Sequence, residues 1–265
     1  ANYNFKVDLK GIIRLLSDNL YSSDKVFLRE LLQNATDAIA ARKRVDSACP
    51  EAKITVTYHR KGNGAELIFA DNGIGLTKEE IHAFLSVIGQ SSKRDDTVRN
   101  SYIGQFGIGL LSCFLVANEI KVITCSATEG KSYQWVGKSD GSYVITEPKK
   151  QIEAGTQVYL KFTGAKYQFF TEQEIIDDLS EYGFLLKIPV YFDGENYKQT
   201  VNQNFIPWRQ PLSMADDIMG FGERVFEETF FDVIPLIGDN IKGYAYISTR
   251  QTSANTPIRH KIFLK

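Results

Sequence analysis

Between residues 25 and 46 apolar side chains fall at Val26, Phe27, Leu28, Leu31, Leu32, Ala35 and Ile39. That is the spacing of one buried face on a helix of about 3.6 residues per turn. The pattern predicts a long helix over 25–46, capped by Ser23 or Asp24 and ended by Cys49-Pro50. Ahead of it, Ile12, Ile13, Leu15 and Leu16 predict a short helix over 8–19 behind Asp8. The period then drops to two. KITVTYH at 53–59 and ELIFA at 66–70 predict a hairpin around the polar KGNG at 61–64. Thr77, with Glu80 three residues on, is a capping box for a helix over 78–86. Residues 89–101, GQSSKRDDTVRNS, hold one apolar anchor, Val98, and predict a flexible loop. GIGLLSCFLV at 107–116 predicts a buried apolar helix. Strands follow over 119–127, 132–138, 142–147 and 155–163, then a helix over 172–183 capped by Thr171, then a strand over 188–192.

After Asp193-Gly194 the texture changes. Residues 194–222 are polar, with Pro207, Pro211, Gly220, Gly222 and no clear period. Strands are predicted again over 230–237, 241–248 and 258–264. This pattern predicts a first domain over 1–200 and the beginning of a second, partial α/β domain over 201–265, with the boundary inside 195–205. The chain stops at HKIFLK, an alternating segment, and is expected to be a fragment of a larger protein. The fold class is α+β: a two-layer sandwich with helices on one face of a mostly antiparallel sheet.

Composition narrows the function classes. The chain is 43% apolar and 24% charged, as ordinary globular proteins are. Lys+Arg 31 against Asp+Glu 32 leaves a net charge of -1, so no global field favours nucleic acid or an anionic membrane. No apolar run approaches the roughly 20 residues of a bilayer span, and the N-terminus has no apolar signal core. No membrane and no nucleic-acid partner are expected. Cys49, Cys113 and Cys125 form no framework, which points to a reducing cytoplasm. Three scattered histidines argue against a His/Cys metal site.

Four local patterns carry candidate chemistry. On the long helix Glu30, Asn34 and Asp37 fall within a sector of roughly 60°, opposite the apolar face. Each carboxylate alone reads as a solvated face. Asn34 does not, because asparagine is a poor mid-helix residue. A carboxylate one turn before a neutral oxygen ligand suits Mg²⁺ held on a polyphosphate while the carboxylate orients water. Second, Asp71-Asn72-Gly73-Ile74-Gly75 follows an apolar strand. It is either a plain strand–turn–helix connection or a turn that lets a ligand approach the backbone, with Asp71 accepting from an exocyclic amine such as adenine's. Third, Gly104-Gln105-Phe106-Gly107-Ile108-Gly109 opens an apolar segment. It is either a hinge or a helix N-terminus whose N–H groups bind phosphate. A dinucleotide fingerprint does not fit its spacing, and the P-loop fails because the required earlier glycines are Cys125 and Ser132. Fourth, Gly155-Thr156 opens a strand and by itself is ordinary.

The order of these elements is the strong signal. FLRELLQNATDAI, DNGIGLT, IGQFGIGLLSCFLVA and GTQVYLKF resemble, in wording and spacing, the ATP-binding fold shared by Hsp90, DNA gyrase B, MutL and histidine kinases. Within that group the chain is most similar to Hsp90-family chaperones of the bacterial HtpG type. The similarity covers about residues 3–192 and continues more faintly to 265, where an Hsp90-like middle domain would begin. The resemblance implies an ATP-dependent chaperone that binds ATP or ADP with Mg²⁺ and hydrolyses ATP slowly. It makes Glu30 the base that orients water and Asn34 the Mg²⁺ ligand, with Asp37 behind them. It gives Asp71 the adenine amino group, helped by a water near Gly75 and Thr156. Gly73 belongs to the same turn, Leu76 packs on the base, and Gly104 to Gly109 wrap the phosphates. Residues 87–103 would be a lid. It further implies client proteins as partners and a homodimer formed through a C-terminal domain beyond residue 265. The sequence departs from the family at a short lid, at Phe84 in place of an asparagine, and at Gln90 in place of a lysine, with Lys93 and Arg94 nearby. The alternatives are a DNA-linked ATPase of the gyrase B or MutL type and a nucleotide-gated interaction module with little hydrolysis.

Overall fold

The computed structural model describes residues 25–84, 109–163, 170–202, 206–211, 214–239 and 242–249. The chain divides into two compact units, Ala1–Asn202 and Gln203–Lys265.

In the first unit, helix α1 (Val26–Val45) precedes a hairpin of β1 (Ile54–Lys61) and β2 (Gly64–Asp71), then α2 (Lys78–Phe84). A 3-10 helix (Gly109–Leu115) leads into β3 (Glu119–Cys125), β4 (Ser132–Lys138), β5 (Tyr143–Thr146) and β6 (Gly155–Thr163). Helix α3 (Glu172–Tyr182), β7 (Val190–Asp193) and β8 (Lys198–Thr200) complete it. The strands form one sheet in the order β5-β4-β3-β6-β2-β1-β7-β8. Among the described strand pairs only β1–β7 is parallel. This is the α+β architecture, mostly antiparallel, that the pattern of periods predicts.

Local chemistry explains the elements. The seven buried residues of α1 are the seven apolar positions named above, and Arg42, Lys43 and Arg44 in its last turn suit the negative end of the helix dipole. The first hairpin turns at Gly62, whose φ of 60° only glycine adopts freely. Thr77 and Glu80 close the expected capping box: the Thr77 N–H donates to Glu80 Oε2 at 2.8 Å, and the Glu80 N–H donates to Thr77 Oγ1 at 3.2 Å. Thr171 and Glu174 do the same for α3.

The sheet's core face is built by alternation. Leu67 on β2, Leu160 on β6 and Ile120 on β3 lie side by side, and Phe69, Val158 and Val122 form the next row. All six are buried, in one core with the apolar faces of α1 and α3 and with the 3-10 helix. At about 25 cal/mol per Å² of apolar surface removed from water, this layer is the main source of the unit's stability.

Three expectations need correction. The apolar segment at 107–116 is a 3-10 helix over Gly109–Leu115 rather than an α-helix. Almost every one of its side chains is buried, so no stripe distinguishes the helix type. The N-cap of α1 is Lys25, which makes no side-chain cap. Ser23 and Asp24 lie outside the described residues. Residues 194–222, read as aperiodic, contain β8 and most of a helix.

That helix, α4 (Ala215–Phe226), packs in the second unit with a hairpin of β9 (Phe230–Ile237) and β10 (Lys242–Ser248). Gly222 is one of the glycines of the stretch read as aperiodic. In the fold a Cβ there would strike the Tyr246 ring, so the glycine admits a close approach. The Tyr246 hydroxyl donates to the Ile218 carbonyl at 3.1 Å, and Phe226, Phe230 and Tyr246 form one aromatic cluster, with the two phenylalanines edge to face and Tyr246 tilted against both. The helix predicted over 8–19, the loop over 89–101 and the strand over 258–264 lie outside the described residues.

Candidate functional site

The third row of the sheet's core face is polar. Continuing the alternation, Asp71, Thr156 and Thr124 stand in register where the next apolar row would be. Directly opposed residues of antiparallel strands point to the same face, so three polar side chains end an otherwise apolar layer. Asp71 Oδ1 accepts the Gly73 N–H at 2.8 Å. Burial pushes the Asp71 carboxyl up to about 7, and N–H donation from Gly73 and Thr156 acts in the opposite direction. Because the folded-state value is raised above 3.8, the folded chain holds a proton there that the unfolded chain has lost. The Asp71 contribution to stability is therefore present below about pH 4 and is lost as pH rises to about 7. Urea unfolding of the chain and of Asp71→Asn, run from pH 4 to 8, should show this slope only in the unaltered chain.

The turn after Asp71 is shaped by contacts that exclude side chains. At Gly73 a Cβ would lie 2.6 Å from the Ala38 Cβ on α1. Gly75 has φ 67°, and a Cβ there would run into the Cys125 carbonyl. The Ile74 N–H donates to the Ala38 carbonyl at 3.0 Å, fixing the turn on the helix. Arg42, one turn further along α1, donates through Nη1 to the carbonyls of Asn72 at 3.0 Å and Ala154 at 3.1 Å. One side chain thus ties the helix, the Asp71 turn and the start of β6 together. Leu76 is partly buried against the core, and its N–H donates to Thr124 Oγ1 at 2.9 Å.

The polar stripe of α1 runs toward this turn. Asp37 is one residue from Ala38, and burial raises its carboxyl above the ordinary value. Asn34 Oδ1 is buried and has no hydrogen-bond partner among the described residues. At the other end of the stripe, Gly109 sits over Glu30, close enough that a Cβ would be 2.9 Å from Oε2. Glu30 Oε1 accepts from Arg29 Nη2 at 3.0 Å, in an ion pair whose arginine is 53% exposed and so holds the carboxylate weakly. The Cys113 thiol, buried in the same region, is pushed up first by burial and then by the Glu30 charge.

The fold therefore brings Asp71, Gly73, Gly75, Leu76 and Thr156 to one end of the stripe and Gly109 to the other, with Glu30, Asn34 and Asp37 between. Gly104, Gln105, Phe106, Gly107 and Ile108, the lid segment and Gln90 lie outside the described residues, and of Phe84 only the backbone is described. Two residues were missed from sequence. Arg42 is one of three basic residues in the last turn of α1, and nothing in the sequence sets it apart. Thr124 carried a signal: it continues the Ile120, Val122 alternation inside IKVITC and is fully buried.

Comparison with known proteins gives the family. Residues 21–163, just over half of the chain, match the family described as histidine kinase-, DNA gyrase B- and HSP90-like ATPase. The chain belongs to that family. The chain is 31% identical over 235 residues to the chaperone protein HtpG of Orientia tsutsugamushi, covering 81% of this chain and 36% of that protein. It is 31% identical over 226 residues to the mitochondrial TNF receptor-associated protein 1 homolog of Dictyostelium discoideum, covering 77% and 31%. With HtpG of Buchnera aphidicola subsp. Baizongia pistaciae it shares 29% over 250 residues, covering 86% and 40%. The chain thus spans about a third of the length of these curated relatives. None of its described helices is long and apolar enough to cross a membrane.

Proposed function

We propose that this Hsp90-like chain binds ATP and ADP across the polar stripe of α1, and that the full-length protein couples slow ATP hydrolysis to the remodelling of client proteins. One observation carries the reading. The stripe is bracketed by two glycines from distant motifs, Gly73 seated on Ala38 and Gly109 seated on Glu30, so three motifs far apart in sequence converge on one helix face. Asp71 accepts the adenine amino group, with Thr156 beside it and Leu76 against the base. The backbone of residues 104–109 wraps the phosphates. Glu30 orients the attacking water and takes its proton, work that in phosphoryl transfer is mostly positioning. Residues 87–103 act as the lid. Residues 201–265 begin a middle domain, and the full-length protein dimerises through a C-terminal domain beyond residue 265 in the cytoplasm. The named chaperones among its relatives favour this reading over a DNA-linked ATPase.

The residues fit Mg²⁺. A buried carboxamide oxygen without a partner costs about 1–3 kcal/mol, and a neutral oxygen is a ligand type that Mg²⁺ accepts alongside phosphate oxygens and water. Asn34 would hold the ion, which when bound neutralises phosphate charge. The test is Asn34→Ala. The ligand-free chain should lose little or no thermal stability, because the orphaned oxygen is removed with the side chain. The strengthening of ADP binding by Mg²⁺ should disappear while metal-free ADP binding persists. An undiminished Mg²⁺ effect in calorimetry removes Asn34 as the ligand.

A further inference from the structure

We propose that Thr124, two strands away from Asp71, is a specificity-determining residue that locks the Thr156 hydroxyl as a hydrogen-bond acceptor toward the base, so that the site takes a 6-amino purine and rejects a 6-oxo purine. The inference rests on the adenine-nucleotide reading above. Thr124 Oγ1 is fully buried and has three polar neighbours: the Leu76 N–H at 2.9 Å, the Gly155 carbonyl at 3.1 Å and Thr156 Oγ1 at 3.1 Å. A hydroxyl has one proton and two lone pairs. The Leu76 N–H can only donate and occupies one lone pair. The Gly155 carbonyl can only accept and takes the proton. The remaining lone pair is left for Thr156, whose hydroxyl must donate inward. This is the one arrangement that uses all three valences of a group that water does not reach, and buried polar groups are satisfied in this way.

The consequence reaches the pocket. With its proton committed to Thr124, Thr156 shows the ligand lone pairs only, and its neighbour Asp71 is an acceptor when ionised. Two acceptors side by side match the exocyclic amine of adenine. They oppose the 6-oxo group of hypoxanthine, which is an acceptor itself. A site built to bond one donor rejects an analogue lacking it, because its own polar groups are then left unpaired. Thr124 acts through Thr156 and touches no ligand.

The experiment is calorimetry of the whole chain at pH 8, where Asp71 is ionised, with ADP and with IDP, which differ at the 6-position of the base and in the proton that hypoxanthine carries on the adjoining N1. In the unaltered chain ADP binds more tightly than IDP. Thr124→Val keeps the shape and removes the hydroxyl, freeing Thr156 to rotate and donate to a 6-oxo group. The ADP-to-IDP affinity ratio should fall by about tenfold or more, while Thr124→Ser, which keeps the hydroxyl, should retain it. Should valine crowd the neighbouring strands, Thr124→Ala carries the same expectation. In a Thr156→Val background, Thr124→Val should change the ratio no further, a coupling that a merely structural role does not produce. A ratio unchanged in folded Thr124→Val or Thr124→Ala, or changed equally with and without the Thr156 hydroxyl, overturns the proposal and leaves the pocket reading standing. Failure of the unaltered chain to bind ADP overturns both.

Discussion

Asp71→Asn is expected to abolish detectable ADP binding while the sheet survives. The carboxylate is the polar end of a row whose other members are Thr156 and Thr124, and it is held by the Gly73 N–H at 2.8 Å. An amide of the same shape can keep that bond through its oxygen. Its NH2 then turns toward the ligand and meets the donor of the adenine amine. The substitution removes a hydrogen bond to a charged group, worth about 1.5–3 kcal/mol, and sets two donors against each other. Together these correspond to a loss of affinity of roughly 100-fold or more. The strand ladder around Asp71 uses backbone groups, so circular dichroism should be unchanged. Affinity retained within a few-fold would mean that the base lies elsewhere.

Glu30→Ala is expected to do the opposite: normal nucleotide binding and loss of turnover in the full-length protein. Glu30 stands one turn before Asn34, at the end of the stripe covered by Gly109 and away from the Asp71 row. It contributes nothing to the recognition of the base, so ADP affinity should hold. A positioned base contributes about 10²- to 10⁴-fold to rate, and that is the expected loss. Glu30→Asp withdraws the carboxylate by one methylene from where it would meet the water, so it should also be slow. Unchanged turnover in Glu30→Ala would remove the role. Because the two substitutions separate binding from rate, a shared loss of both would point to misfolding instead.

The apolar framework was legible because α1 and the strands carry clean periods, and the capping boxes at Thr77 and Thr171 mark their helices by side chains adjacent in sequence. The glycines at 73 and 75 were legible as a turn. What they avoid, Ala38 and the carbonyl of Cys125, was not, because close approach is a fact of packing. Gly222 was counted among the prolines and glycines of an aperiodic stretch for the same reason, since the Tyr246 ring that explains it is distant in sequence. Asp71 and Thr156 were singled out by their glycine neighbours and by family resemblance. Their union with Thr124 depends on strand register across β2, β6 and β3, which local sequence does not encode. Arg42 is the clearest case: its two carbonyl partners lie 30 and 112 residues away.

The central claim, that the α1 stripe and the Asp71 row form one adenine-nucleotide site, is tested most directly by calorimetric titration of the chain with ADP in the presence and absence of Mg²⁺. The account predicts saturable one-to-one binding that Mg²⁺ strengthens. No binding under either condition would contradict it.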